Sequence, residues 1–223
     1  MAVGIVPALH APRPVIGAAL AHAARSRAAM VREGAIFAIL LAAPVSAQDF
    51  RAGLRAFQSG ENERAAAIFH DLARQNNRDA QFMMGVLQEG GYGVEKNLRG
   101  AATWYLKAAE AGLSSAQFNL GIFYQFGQGV RKSAAQAFAW HSRAARQGHG
   151  SAQNNLASFY FTGEGVVKES VEAWKWYEIA RRNLQGDAQG IALKNRDKVG
   201  KALSANERAT AKRSADDFKP VPE

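Results

Sequence analysis

The sequence predicts an all-α protein, an α-solenoid (superhelix) of antiparallel helix pairs. Three observations predict it. First, one phrase recurs at a step of 36 residues: DAQFMMGVL from Asp79, SAQFNLGIF from Ser115, SAQNNLASF from Ser151 and, more distantly, DAQGIALKN from Asp187. Second, Ala116, Leu120 and Tyr124 are spaced i, i+4, i+8 and share one helical face. Third, the first three phrases run into Gly-x-Gly-Val at Gly91, Gly127 and Gly163, residues suited to end a helix and turn the chain. A helix pair of this size cannot bury its apolar stripe alone, so stacking in series is the expected solution.

The chain has 223 residues, of which 48% are hydrophobic, enough for a folded core. Its N-terminal part reads as an address. Residues 1–29 are an uncertain leader, rich in alanine, basic at Arg13, Arg25 and Arg27, and free of acids. A transit-peptide reading stays open, but Met30 as the true start explains the segment better. Residues 30–47 then form a complete secretory signal, with Arg32, an apolar run from Ala35 to Val45, and a small-x-small site at Val45-Ser46-Ala47. Cleavage is expected between Ala47 and Gln48, with export to the bacterial periplasm and no membrane anchor afterwards.

Each repeat then reads as two helices. In the first, Gly121 lies beside the apolar face, where a missing side chain lets a neighbour approach closely. Its cost in helix propensity is about 1 kcal/mol relative to alanine. Asn97 and Ser133 are placed to N-cap the second helix, and Ser170 substitutes in the third repeat, where Glu169 takes the equivalent place. The second helix buries Ala137, Trp140, Ala144 and Ala145. The register holds throughout: Trp104, Trp140 and Trp176 coincide, as do Tyr105, His141 and Tyr177.

The stretch AQFNLGIFYQFGQGV followed by AFAWHSRAARQGH resembles the Sel-one-like repeat, a relative of the tetratricopeptide repeat. Three units fit, 79–114, 115–150 and 151–186. Departures are isolated: Gln88 stands for the usual tyrosine, Ala157 for glycine, His141 for tyrosine and Arg181 for the second alanine. Residues 48–78 resemble a plain tetratricopeptide hairpin with its turn at Ser59-Gly60. Residues 187–223 read as capping helices and tail, with a capping box at Ser204 and Glu207 before a polar last helix.

Composition narrows function. Cysteine is absent, which excludes disulfide scaffolds, iron–sulfur clusters and thiol nucleophiles. The formal charge is +9, and +6 remains from Gln48 onward. These charges are scattered rather than striped, so nucleic-acid binding is not expected. No His-Glu-x-x-His, nucleophile elbow or Walker loop occurs. Gly127-Gln-Gly129 recurs in every unit, as a structural turn would. His141 reads as core packing, and His141 with His149 makes a poor metal pair without a carboxylate or thiol nearby. No catalytic residue, metal or cofactor is expected.

The resemblance implies binding instead. First helices of such solenoids line a concave groove for peptides or partner domains. By position, the groove residues are Phe82, Val86 and Glu89; Phe118, Asn119, Ile122 and Gln125; and Asn154, Asn155, Ser158 and Phe161. An amide at Asn119 or Asn155 both donates and accepts, which suits a peptide backbone. The expected function is a monomeric, non-catalytic interaction scaffold or regulator binding a protein or peptide partner. Two alternatives remain: a peptidoglycan- or β-lactam-binding (or hydrolysing) protein, and a self-associating envelope protein. Trp174, whose counterparts are Ala102 and Phe138, is a further candidate for partner contact.

Overall fold

Helices of two kinds alternate along the chain. The computed structural model describes residues 47–221, so the leader and the signal segment up to Ser46 lie outside the described residues. The helices are α1 (Ala47–Gln58), α2 (Asn62–Arg74), α3 (Arg78–Gly90), α4 (Leu98–Glu110), α5 (Ser114–Phe126), α6 (Ala134–Arg146), α7 (Gly150–Thr162), α8 (Ser170–Asn183), α9 (Gly186–Gly200) and α10 (Ala205–Asp216). No strand occurs among the described residues. Helices α3, α5, α7 and α9 begin at Arg78, Ser114, Gly150 and Gly186, a step of 36 carried by the backbone itself. The described residues fall into two compact units, one up to Ala108 and one from Ala109.

The helix ends follow the glycines. Gly91, Gly127 and Gly163 cap α3, α5 and α7 with φ of 75°, 72° and 77°, a left-handed conformation that glycine adopts without a Cβ penalty. The second glycine has a further reason. A Cβ on Gly165 would stand 2.6 Å from the backbone carbon of Ala134, at the start of α6, so the turn lies directly on an earlier helix. Asn76, Gly112 and Gly148 form another periodic set, with φ of 61°, 81° and 93°. Asn76 is the one non-glycine with positive φ among the described residues, and asparagine tolerates that region better than most.

The second helices start as expected in two repeats. The Gly100 amide donates to Asn97 Oδ1 at 2.9 Å, and the Gln136 amide to Ser133 Oγ at 3.3 Å. In the third repeat Glu169 is the N-cap, without a side-chain cap bond, and Ser170 is already inside α8. The capping box at Ser204 and Glu207 is present. Trp140 and Trp176 are buried, but Trp104 is only half-buried, edge-on to His70 and with the Lys107 ammonium 4.3 Å from its ring centre.

The glycine inside the first helix seats a ring. A Cβ on Gly85 would come within 2.6 Å of the Tyr105 ring, and one on Gly121 within 2.8 Å of the His141 ring. The third repeat has Ala157 at this position, buried in the same core cluster as Tyr177. Alanines fill the rest of the interface: Ala137, Ala144, Ala145, Ala152, Ala157, Ala173 and Ala180 are all at 0% exposure. Small side chains bring backbones close, and Leu156, Phe159, Trp176 and Ile179 fill the space between them.

A polar clip runs through this core. Gln81, Gln117 and Gln153 are buried, and each donates its amide to a carbonyl eight residues earlier: Ala73 at 3.3 Å, Ala109 at 3.1 Å and Ala145 at 3.0 Å. Those carbonyls lie in the last turn of the preceding second helix, where intrahelical partners run out. The other end of the amide is used too. Gln147 Nε2 donates to Gln117 Oε1 at 2.8 Å, and Asn183 Nδ2 to Gln153 Oε1 at 2.9 Å. Gln189 repeats the pattern on Arg181 O at 3.1 Å.

Helices α9 and α10 pack on α8, and a buried carboxylate ties α8 to α9. Glu178 accepts from Arg181 Nε and Nη2 at 2.9 and 2.8 Å, from Arg182 Nε at 3.0 Å and from Arg196 Nη1 at 2.7 Å. Arg182 then reaches α10, donating to Ala215 O and to Asp216 Oδ1. Burial pushes the Glu178 pKa up, but the hydrogen bonds from Arg181, Arg196 and Arg182 outweigh it and hold it at about 2. Trp174 belongs to the same junction, its indole against Gly200 and beneath the Arg196 guanidinium, and it stays half-buried.

Two outcomes test this packing. Gly121→Ala should destabilise by about 1–3 kcal/mol through collision with His141. The same change at Gly190, where an added Cβ meets nothing within 4 Å, should stabilise α9 by about 0.5–1 kcal/mol. Thermal unfolding of both variants checks the opposite signs. Glu178→Ala should cost about 2 kcal/mol, less than a fully buried pair because the arginines keep contact with water. Its depressed pKa means that this stabilisation is present above pH 4.5 and is lost as pH falls toward 2, which chemical denaturation at several pH values would show.

Candidate functional site

The first-helix residues expected to meet a partner divide into three groups. Phe82 and Ile122 are buried, Phe82 with its ring 5.7 Å from that of Tyr105. They belong to the core and offer nothing to a ligand in this conformation. Glu89, Ser158 and Asn155 are half-buried and already serve second-helix side chains. The Tyr105 hydroxyl donates to Glu89 Oε2 at 2.6 Å, and the Tyr177 hydroxyl is hydrogen-bonded to Ser158. Asn155 Nδ2 stands 3.5 Å from His141 Nε2, a long contact. Val86, Phe118, Asn119, Gln125, Asn154 and Phe161 are half-buried and remain on the face. Gln125 Oε1 and Asn154 Oδ1 are buried atoms with no hydrogen-bond partner among the described residues.

In the unit from Ala109, Phe118 is the centre of an aromatic cluster. Its ring stacks on His149 at 4.7 Å and 21°, and lies 5.5 Å from His141. His141 is completely buried on Gly121, with Phe159 at 5.9 Å on another side. Its Nδ1 has no hydrogen-bond partner among the described residues. Burial, and then the nearby His149, pulls the His141 pKa down to about 3.

His149 has a structural role of its own. It N-caps α7, its Nδ1 accepting from the Ala152 amide at 3.3 Å. Burial lowers its pKa to about 4. The signal was in the register: one step of 36 back lies Leu113 and two steps back lies Asn77, a standard cap whose Oδ1 accepts from Ala80 at 2.9 Å. Both imidazoles are therefore neutral packing groups at neutral pH. Among the described residues no group of three His, Asp or Glu side chains is placed to hold a metal ion. No helix there is long and apolar enough to cross a membrane.

The periodic helix pairs, the glycine-seated rings and the glycine-capped turns have a match among known families. The Sel1 repeat model matches residues 78–113, 114–149 and 150–183. Residues 78–183 are three Sel1 repeats. Among solved structures it is similar to a Sel1 repeat protein from Oxalobacter formigenes, at 25% identity and a TM-score of 0.60, covering 77% of this chain and 86% of that one. It is also similar to a protective antigen present in uropathogenic Escherichia coli strains that displays the same fold, at 28% identity and a TM-score of 0.53. That match covers 76% of this chain and 44% of the antigen, so the chain spans less than half of its length. No curated protein matches the sequence. Sel1-like repeats generally serve as protein-interaction scaffolds.

The buried His141 and the half-buried His149 give the second Sel1 repeat an acid-sensitive packing cluster. An unfolded imidazole titrates near pH 6.5, while the folded ones titrate only near 3 and 4. Their neutral burial is fully stabilising above pH 6.5 and is lost as pH falls through 6.5 toward 4. Between pH 6.5 and 5, His141 alone should remove roughly 2 kcal/mol. His141→Tyr, which restores the residue of the flanking repeats, should flatten that slope in denaturation curves recorded across the window.

Proposed function

We propose that this chain is an exported, non-catalytic interaction module that binds a segment of a protein partner along its first helices. The observation that carries the reading is the divergence of those helices at otherwise fixed register. Phe82, Phe118 and Asn154 occupy one position, Val86, Ile122 and Ser158 another, and Glu89, Gln125 and Phe161 a third. Phe82, Ile122, Glu89 and Ser158 are taken up by packing or by tyrosine hydroxyls, but Phe118, Asn154, Gln125 and Phe161 stay half-buried and leave a face whose chemistry changes from repeat to repeat. Phe118, Asn119, Asn154 and Phe161 are half-buried, so apolar and amide side chains share the same face.

Export rests on the segment from Met30 to Ala47. A cut between Ala47 and Gln48 falls at the start of α1, ahead of Phe50, the first buried core residue. It leaves the packed helices intact. The compartment proposed is the bacterial periplasm.

Crosslinking in the producing cell, followed by identification of captured proteins, tests the binding. Asn119→Ala with Asn155→Ala should weaken capture of a direct partner by about tenfold, the loss of one or two hydrogen bonds. Capture unchanged in this variant would remove the groove from the account. The intact mass of the mature protein should correspond to a chain beginning at Gln48, and any other first residue argues against the cleavage site.

A further inference from the structure

One first-helix position changes chemistry along the chain, from Glu89 to Gln125 to Phe161. Glu89 holds the Tyr105 hydroxyl. Phe161 has cationic company instead. Its half-buried ring has two ammonium groups against it, Lys168 Nζ and Lys198 Nζ, each 5.6 Å from the ring centre. Lys168 comes from the loop between α7 and α8, and Lys198 comes from α9. Two separate elements thus converge on one side chain, all within the unit from Ala109.

The neighbouring cations are committed to the fold. Lys175 pairs with Glu172, and Arg196 pairs with Glu178 and Asp197. Lys168 and Lys198 are exposed and form no ion pair among the described residues. The ring face attracts both ammoniums and steadies their flexible stems, so less side-chain freedom remains to be lost when an anion arrives. With each head 5.6 Å from the same centre, the two are no more than about 11 Å apart. Carboxylates two residues apart on an extended strand share a face and lie roughly 7 Å apart, within that limit. Glu164 and Glu169 share the loop with Lys168, so the surroundings are not broadly basic. Recognition here works through local contact, with Lys194 and Lys201 adding some attraction at longer range.

We propose that Lys168, Phe161 and Lys198 form the docking point for an extended acidic segment of a protein partner, its carboxylates on the two ammoniums and its apolar part on the ring. This rests on the binding reading above, because Phe161 is one of its face residues, and it adds the chemistry of what is bound.

Two fluorescein-labelled peptides test it, one alternating Glu and Ser and one alternating Gln and Ser, titrated by anisotropy into the chain from Gln48 onward. The acidic peptide should bind about tenfold more tightly than its neutral analogue. Lys168→Gln with Lys198→Gln should abolish that preference while circular dichroism and the thermal midpoint stay unchanged. Lys107→Gln with Lys219→Gln removes the same charge elsewhere and should leave the preference intact. Equal binding of the two peptides, or an equal effect of the control pair, overturns the proposal. So does a dimer in sedimentation that the Lys168 and Lys198 changes dissolve, since the occupant would then be a second copy. The two readings fail separately. If the asparagine pair abolishes partner capture but acidic peptides show no preference, the groove stands and the acidic docking point falls. If the acidic peptide is preferred but the asparagine pair leaves partner capture unchanged, the docking point stands and the groove falls.

Discussion

A buried amide, repeated every 36 residues, bonds back to the carbonyl eight residues before it. Gln117 and Gln153 each bond backward to the end of a second helix and accept from the end of the next one. An apolar contact between alanine-lined helices is non-directional and permits sliding. A buried amide does not, because a slip would leave a polar group unpaired at a cost of roughly 1–3 kcal/mol. The alanines let the helices come close, and the glutamine fixes where they stop. Glycine-seated rings and glycine-capped turns then become compatible with one spacing only.

Much of this was legible in the sequence, for physical reasons that can be named. The period, the helix pairs, the left-handed caps at Gly127 and Gly129 and the capping box at Ser204 and Glu207 are local chemistry, and local chemistry is written in neighbouring letters. The glutamine clip was written just as plainly, in the third letter of DAQ and SAQ, but its meaning depends on a carbonyl that only the folded turn brings near. His149 was not legible as a cap, because imidazole is an uncommon cap and its register partner Leu113 does not cap at all. Trp104 shares its register with two buried tryptophans, yet it is half-exposed, because burial depends on what packs beyond the repeat.

The candidate face was harder to read. Counting from the shared motif selects residues on the first helices but not which way each side chain turns. Phe82 and Ile122 turn inward, and Glu89 and Ser158 are drawn into bonds with Tyr105 and Tyr177. The second repeat departs from this scheme because His141 is shorter than tyrosine. Its ring engages Asn155 of the next helix, and Gln125 keeps a buried oxygen without a partner. Phe161 departs in the other direction, giving up the polar position for a ring beside two lysines. The repeated letters build the stack, and the unrepeated ones distinguish its surface.

Hydrogen exchange on a Gln153→Ala variant tests the amide coupling most directly. Gln153 joins the α6 end to α7 and α8. Its loss should lower protection by about tenfold or more in α7, α8, α9 and α10, while α5 and α6 retain most of theirs. Protection lost evenly in all six helices, or in none of them, would show that the alanine contacts alone set the register and would contradict the coupling.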